Sequence, residues 1–536
     1  MRGYFQVRFL PEGLTSEVLP GASVLDAALL AGAAVYAPCG GEGRCGKCRV
    51  RVRGACEPPT EEEREHLGGL LEKGYRLACQ AVLSGESTIE TGAESNLAEA
   101  KATLLSRAEY DVDLPLDGPV SRAPLGAALD VGTTTLCASL IDLQSGRRLG
   151  VAACENPQAS FGSDVMTRID KCSSDAGALS AMKEAVVGAL NRLLRRMASA
   201  GGRPTSDIGR LVMVGNTTML HLAMGLDPSP LGRCPFQPAG KDPVNMEAAA
   251  IGLEASPDAL LLAPPVISGF LGADILAGIL ATDLHGSHGA RMVVDLGTNG
   301  EIALGDRGRL AACSTAAGPA FEGALISCGM RAEPGAVEAL SRDGNLTPLV
   351  LGGGRPSGIC GSGLLDAAAA LLDSGLLQRT GRLVSPGDIP ERAPGRIREE
   401  GGIREFLLDP DSRLTLSQKD FRELQLAKGA VRAGIEVLRR YLGLEYSAIE
   451  TIFLAGAFGS LLRPASAVRV GLLPRELHGR IFAAGNAALT GAEMILTSVR
   501  RWNRAVEISR SCEVVELAGS EAFEREFLAW IPFPAG

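Results

Sequence analysis

Four cysteines near the N-terminus carry the strongest chemical signal in this 536-residue chain. Cys39, Cys45 and Cys48 are spaced C-x5-C-x2-C, and Cys79 follows 31 positions after Cys48. Three thiolates on one loop and a fourth from a distant strand or turn make the ligand set of a [2Fe–2S] cluster. Gly40, Gly41, Gly43 and Gly46 lie between them, which lets the loop wrap a cluster whose sulfides accept backbone N–H bonds. A four-cysteine zinc site is the competing reading, but zinc ribbons usually present two C-x2-C knuckles and only one is present here. Cys56 falls outside both pieces and reads as structural. The other eight of the 13 cysteines are scattered singly, as buried small apolar residues are, so disulfides are not expected. Two patterns overlie the same loop and fail. GEGRCGKC nearly spells a P-loop, but Cys48 stands where Ser or Thr would bind Mg²⁺. Gly41, Gly43 and Gly46 spell G-x-G-x-x-G without the strand–turn–helix frame that motif needs.

A second constellation is spread through the rest of the chain. Asp130-Val131-Gly132-Thr133-Thr134-Thr135 and Asp295-Leu296-Gly297-Thr298-Asn299-Gly300 each put a carboxylate at a strand end. Each then offers a glycine that lets backbone approach phosphate, followed by hydroxyls and N–H groups for its oxygens. Two facing copies would clamp a triphosphate, with Asp130 and Asp295 holding Mg²⁺ through water. A third turn, FLAGAFG at 453–459, follows an apolar strand, and its Gly456 and Gly459 would pass beneath an adenosine. One D-x-G-T turn alone also occurs in hairpins that bind nothing; the ordered trio is the informative feature. None of the five His sits in a metal-ligand pattern: His221 reads as a packed core residue on a helix, and His285 and His288 as solvated residues of a Gly-rich turn.

The elements that must position these groups follow from periodicity. Residues 4–10 (YFQVRFL) alternate as a strand does, 22–33 read as a helix, 49–52 (RVRV) and STIET near residue 91 as strands. That length suits a small β-grasp domain over 1–91. Residues 92–124 are polar and Pro-punctuated, a linker with one short helical run near 97–106. From 125 the pattern becomes strand, tight turn and helix, with a long amphipathic helix over 178–200 and the strand LVMVGN. RMVVDLGTNGEIAL at 291–304 repeats the first strand–turn–strand unit, which suggests duplicated α/β lobes, a first over 125–225 and a C-terminal one over 226–536.

Composition narrows the function classes. The chain is 46% apolar but only 4% aromatic and carries 67 glycines, as a Gly-rich α/β protein with turns close to ligands would. The net charge is −9 and no run of Lys and Arg occurs, so nucleic acid is not an expected partner. The most apolar region, 259–281, is broken by Pro264, Pro265 and Asp274, a core segment and not a membrane span. With no signal-peptide pattern at the N-terminus, the expected location is cytoplasmic.

CGGEGRCGKC followed by RLACQ (76–80) resembles the ferredoxin domains of the [2Fe–2S] class, in a spacing similar to the adrenodoxin type. The trio of turns resembles the acetate/sugar kinase–Hsp70–actin superfamily, which implies ribonuclease-H-like lobes and an ATP site. VMVGNTTMLH (212–221), CSTAAGPAFEGA (313–324), GICGSGLLDA (358–367), QKDFRELQLAKGAVRAGI (418–435) and VGLLP with AAGNAALTGA (470–492) resemble the reductive activators of corrinoid proteins. The likeness runs from about residue 4 to about 515, with Ala457 standing where another Gly is expected. It implies an ATP-dependent, ferredoxin-fused activase, [2Fe–2S], ATP and Mg²⁺ as cofactors, and a corrinoid protein of a methyltransferase system as partner. No flavin or NAD motif is found, so electrons are expected from a separate reductant protein, and the resemblance alone makes a homodimer plausible. Two alternatives stay open: an ATP-driven donor to another low-potential acceptor, such as a 2-hydroxyacyl-CoA dehydratase, and an electron carrier gated by nucleotide. The stretch 327–330 and the turn at Gly361 are either a partner surface or packing turns.

Overall fold

Alternating apolar residues of FQVRFL bury Val7 and Phe9 on one face of β1 (Phe5–Leu10), an interior strand of an N-terminal sheet. The computed structural model describes residues 5–535 except 12, 19, 32, 34, 36, 38, 40, 92–108, 115–122, 298, 324, 392–394 and 410–412. Gly40, Thr298 and the helical run read near 97–106 therefore lie outside the described residues. β2 (Thr15–Val18), α1 (Val24–Ala31), β3 (Arg49–Cys56), α2 (Glu61–Leu67), β4 (Tyr75–Leu77) and β5 (Leu83–Glu90) complete the first module. Its strand order is β2-β1-β5-β3-β4, with β1 and β5 parallel and the other pairs antiparallel. That is a β-grasp sheet with α1 across it.

The chain forms two compact units. One is Met1–Ala281 with Asn486–Ser511; the other is Thr282–Gly485 with Cys512–Gly536. In the first unit, β6 (Leu125–Val131), β7 (Thr135–Asp142) and β8 (Arg148–Glu155) form an antiparallel meander. After α3 (Val165–Ser174) and α4 (Ala178–Ala200), β9 (Ile208–Gly215) pairs parallel with β6. α5 (Thr217–Met224), β10 (Val244–Glu247), β11 (Leu260–Ala263) and α6 (Ala273–Ala281) follow, giving the order β10-β11-β9-β6-β7-β8. Every second residue from Leu125 to Val131 is buried, and so are Ala128 and Gly126 between them, as a strand covered on both faces requires.

The second unit repeats this plan. β12 (Ala290–Leu296), β13 (Gly300–Asp306) and β14 (Arg309–Thr315) form the meander. α7 (Gly361–Asp373) and α8 (Gln418–Tyr441) follow it, and then β15 (Ile449–Ala455) and β16 (Ile481–Gly485) extend the sheet in parallel beside β12. Between β15 and β16 the chain passes through α9 (Gly456–Leu461). α10 (Ala487–Thr497) and α11 (Val499–Ser511) then return to the first unit, where α10 packs on α6 and β6. α12 (Glu521–Trp530) closes the second unit against α8, where buried Lys428 donates to the Pro532 carbonyl at 2.7 Å. The fold is the expected one: an α+β ferredoxin-type module followed by duplicated α/β lobes of the actin/Hsp70/sugar-kinase kind.

Candidate cluster and nucleotide sites

The loop between α1 and β3 and the turn after β4 bring the four sulfurs together as two pairs. Cys45 Sγ lies 3.3 Å from Cys39 Sγ, and Cys48 Sγ lies 3.3 Å from Cys79 Sγ. Thiolates sharing one tetrahedral metal at ~2.3 Å stand about 3.8 Å apart; each pair lies somewhat inside that distance, and the two-and-two grouping matches one pair per iron of a binuclear centre. The donor set therefore fits a [2Fe–2S] cluster. In each pair one sulfur is eased toward thiolate. The hydrogen bond from Cys45 brings Cys39 down to about 5, against the cost of burial, with help from the backbone at Gly41 and Glu42. The hydrogen bond from Cys48, then Gln80 and the charge of Arg196, lowers Cys79, while Cys45 and Cys48 are pushed up.

Local structure holds this geometry. Gly46 has φ +64°, and a β-carbon there would stand 2.9 Å from the His66 ring, so the loop needs glycine. Glu63, with no exposed surface, receives Arg76 Nε at 2.8 Å, Arg76 Nη2 at 2.7 Å and Leu77 N at 2.9 Å. It also completes the capping box of α2 with Thr60. This pair ties α2 to β4, two residues before Cys79. Burial opposes its charge, but Arg76 and the backbone N–H groups of Thr60 and Leu77 hold the Glu63 carboxyl below its usual range. Cys56 donates to the Val82 carbonyl at 3.0 Å and accepts from Arg76 at 3.1 Å, away from the quartet.

In the first lobe Asp130 lies at the end of β6, and Gly132 N donates to Thr135 O at 3.1 Å to form the hairpin turn. A side chain at Gly132 would strike that same carbonyl at 2.6 Å. The turn is braced from four directions. Arg168 Nη2 donates to Thr133 O at 2.8 Å, Asn156 Nδ2 to Gly132 O at 2.8 Å, Asn216 Nδ2 to Thr133 Oγ1 at 2.9 Å, and Asn486 Nδ2 to Asp130 Oδ2 at 2.7 Å. Thr134 O accepts from Asn156 N. Burial raises Asp130 to about 7, with the charge of Asp274 adding to it and the Asn486 bond opposing. Asp274, at the start of α6, is raised by burial to about 6. Burial thus holds both carboxyls toward the neutral form.

The second lobe gives Asp295 the same place at the end of β12. Gly297 N donates to Asn299 O at 3.0 Å, and Gly300 opens β13. The turn at the end of β15 comes over Asp295: a β-carbon at Gly456, where φ is +81°, would lie 2.5 Å from Asp295 Oδ1. Gly459 sits one turn on, within α9 and against Leu454. Thus Asp295, Gly297, Asn299, Gly300 and Gly456 form one local cluster.

Asp274, Asn216, Asn486, Arg168 and Asn156 surround the first lobe's turn, and the sequence does not announce them. Asp274 shows there only as a break in an apolar run. His221 is buried, with Nδ1 2.7 Å from Thr217 O and Nε2 accepting from Ala239 N. His288 is exposed, but the His285 side chain is only 9% exposed, 3.7 Å from Asp283, and is not the solvated residue expected. Ser327 N and Oγ bond Asp420, and Cys328 donates to Thr415 O, so this stretch is held inside its own unit.

Residues 7–84 match the [2Fe–2S] iron–sulfur cluster binding domain, 125–287 the RACo middle region, and 289–535 the C-terminal domain of RACo, the ASKHA domain. Fold and site thus define a class: a [2Fe–2S] redox domain ahead of a nucleotide-binding body of the actin–kinase type. Over 413 residues the chain is 35% identical to "Corrinoid activation enzyme RamQ" of Eubacterium limosum, covering 75% of this chain and 69% of the relative. Over 443 residues it is 28% identical to "[Co(II) methylated amine-specific corrinoid protein] reductase" of Methanosarcina barkeri, covering 76% and 77%. The solved structure of "Reductive activator for corrinoid,iron-sulfur protein" superposes with a TM-score of 0.68 at 28% identity, over 99% of this chain and 98% of that one. The chain belongs to the family of reductive activators of corrinoid proteins.

Proposed function

We propose that this chain is an ATP-dependent reductive activase that returns the Co(II) form of a corrinoid protein, a component of a methyltransferase system, to Co(I). The observation that carries the reading is the pairing of Cys39 with Cys45 and of Cys48 with Cys79 in a chain that also bears two carboxylate–glycine turns. When bound, the cluster supplies single electrons near about −400 mV. An acceptor ~100 mV lower leaves ~2.3 kcal/mol uphill, a gap that a nucleotide cycle can bridge.

The chain's own residues divide the work. Cys39, Cys45, Cys48 and Cys79 are the proposed iron ligands, and the Glu63–Arg76 pair keeps the Cys79 turn in register. Thr133, Thr134, Gly297, Thr298, Asn299 and Gly300 are the proposed contacts to phosphate oxygens. Gly456 and Gly459 form the turn for the nucleoside. Asp130 and Asp295 are the carboxylates for water-bound Mg²⁺, with Asp274 near Asp130. Nucleotide acts by differential binding: it favours a complex in which the oxidised acceptor is destabilised, for instance through altered axial ligation of the corrinoid. Electrons arrive from a separate reductant protein, since the sequence carries no flavin or NAD motif.

UV-visible and EPR spectroscopy of anaerobically purified protein tests the iron assignment. The wild type is expected to give a rhombic reduced-cluster signal that Cys45→Ser abolishes. A colourless wild type containing zinc would end the reading.

A further inference from the structure

The helix Ala178–Ala200 of the first lobe (α4) presents two arginines, one turn apart, to the ferredoxin module. Arg192 Nε stands 2.7 Å from Glu42 Oε1, on the cluster loop between Cys39 and Cys45. Arg196 Nε stands 3.2 Å from Asp26 Oδ1, and its Nη2 donates to Ser23 Oγ at 3.3 Å. Asp26 is already oriented for this, because its other oxygen accepts from Ser23 N at 2.9 Å and Ser23 Oγ at 2.6 Å. The remaining nitrogen, Arg196 Nη1, occupies the place where a β-carbon at Gly41 would stand. Gly41 (φ +90°) is two residues from Cys39, so a side chain there would expel the guanidinium. α1 packs on β8 and α4 beside these contacts, and the Arg196 side chain is only 14% exposed.

We propose that α4 is a redox-sensitive docking surface for the cluster loop, with Arg196 a positioning residue that raises the cluster's potential while the module is docked. Reduction adds one electron to the cluster, drawn from an external one-electron donor. The charge of the thiolate-bound centre becomes one unit more negative, with a partly buried cation against the loop that carries three of its ligands. Opposite charge in a water-poor contact favours the reduced form. The linkage is reciprocal: whatever factor docking adds to reduction, reduction adds to docking. Release from α4 removes the guanidinium and leaves a more strongly reducing centre, which is what a low-potential acceptor needs. A tenfold linkage corresponds to about 59 mV for one electron. The inference rests on the cluster reading above. A chain without cluster absorption fails that reading, whereas a loaded chain with an unmoved potential fails this one alone.

The test is an EPR-monitored dithionite titration of the full-length holoprotein, paired with hydrogen exchange of the oxidised and reduced forms. Arg196→Gln is expected to lower the midpoint by an amount near that tenfold equivalent, and Arg196→Lys to restore much of it. Exchange at residues 41–46 and along 189–197 is expected to be slower in the reduced wild type than in the oxidised one, and Arg196→Gln to erase the difference. A fully loaded Arg196→Gln protein with the wild-type midpoint, or a wild type whose exchange ignores redox state, overturns the proposal. If Arg196→Gln does not load, Arg192→Gln and Arg192→Glu decide: both should move the midpoint down, the charge reversal further, and an unchanged midpoint in both overturns it.

Discussion

Glu63 has no exposed surface and yet is charged, so its neutralising partner Arg76 cannot be spared. Removing one member of a buried pair leaves the other uncompensated, at about 3–5 kcal/mol. Glu63→Ala is therefore expected to lower the melting temperature of the holoprotein and its iron content per chain together. Asp130 and Asp274 behave in the opposite sense. Their folded pKa values, about 7 and about 6, lie above the ~3.9 of an unfolded aspartate. Between those values the folded protein binds more protons, so their contribution is greatest at acid pH and falls as pH rises from about 4 to about 7. Without nucleotide, thermal stability should decline over that window, and Asp130→Asn should flatten the decline. In the proposed role of Asp130, Mg²⁺–nucleotide takes the proton's place and should bind more tightly as pH rises through the same range, a trend that calorimetry reads directly.

At the scale of elements, the turns were legible because everything they need is local: an apolar strand, Asp, one apolar residue, Gly and a hydroxyl. The helix over 178–200 was legible from its 3.6-residue periodicity, and the sulfur quartet from spacing alone. The groups that brace the first turn were not legible. Asn216 follows a parallel strand, Arg168 belongs to a separate helix, and Asn486 arrives where the chain re-enters the first unit, more than 350 residues after Asp130. Tertiary pairing, and no local rule, puts them there. The docking contact of α4 was equally silent, since Arg192 and Arg196 read as the polar face of an amphipathic helix. Gly456 tests the second lobe's turn. A β-carbon there meets both an unfavourable φ and the Asp295 carboxylate. Gly456→Ala should therefore cost roughly 1 kcal/mol or more of stability and weaken ATP binding at least tenfold in a titration.

For the whole molecule, residues 109–114, within the segment 92–124, are tied to the first lobe. Tyr110 donates to buried Glu493, and Asp113 pairs with Arg500 at 2.6 Å and accepts from Ser498 Oγ at 2.9 Å. The ferredoxin module meets the lobe through its contacts with α4, and the chain joins the lobe again at Tyr110 and Asp113. Electron delivery and ATP turnover should then be separable: Cys45→Ser should still hydrolyse ATP but leave Co(II) unreduced. The most direct measurement is an anaerobic optical assay with a corrinoid protein and a reduced donor, following loss of Co(II) absorption and growth of Co(I). It is run with ATP, with a non-hydrolysable analogue, and with no nucleotide. Multiple turnovers with ATP alone are the expected result. Equal turnover with the analogue, or without nucleotide, would contradict a nucleotide-driven activase.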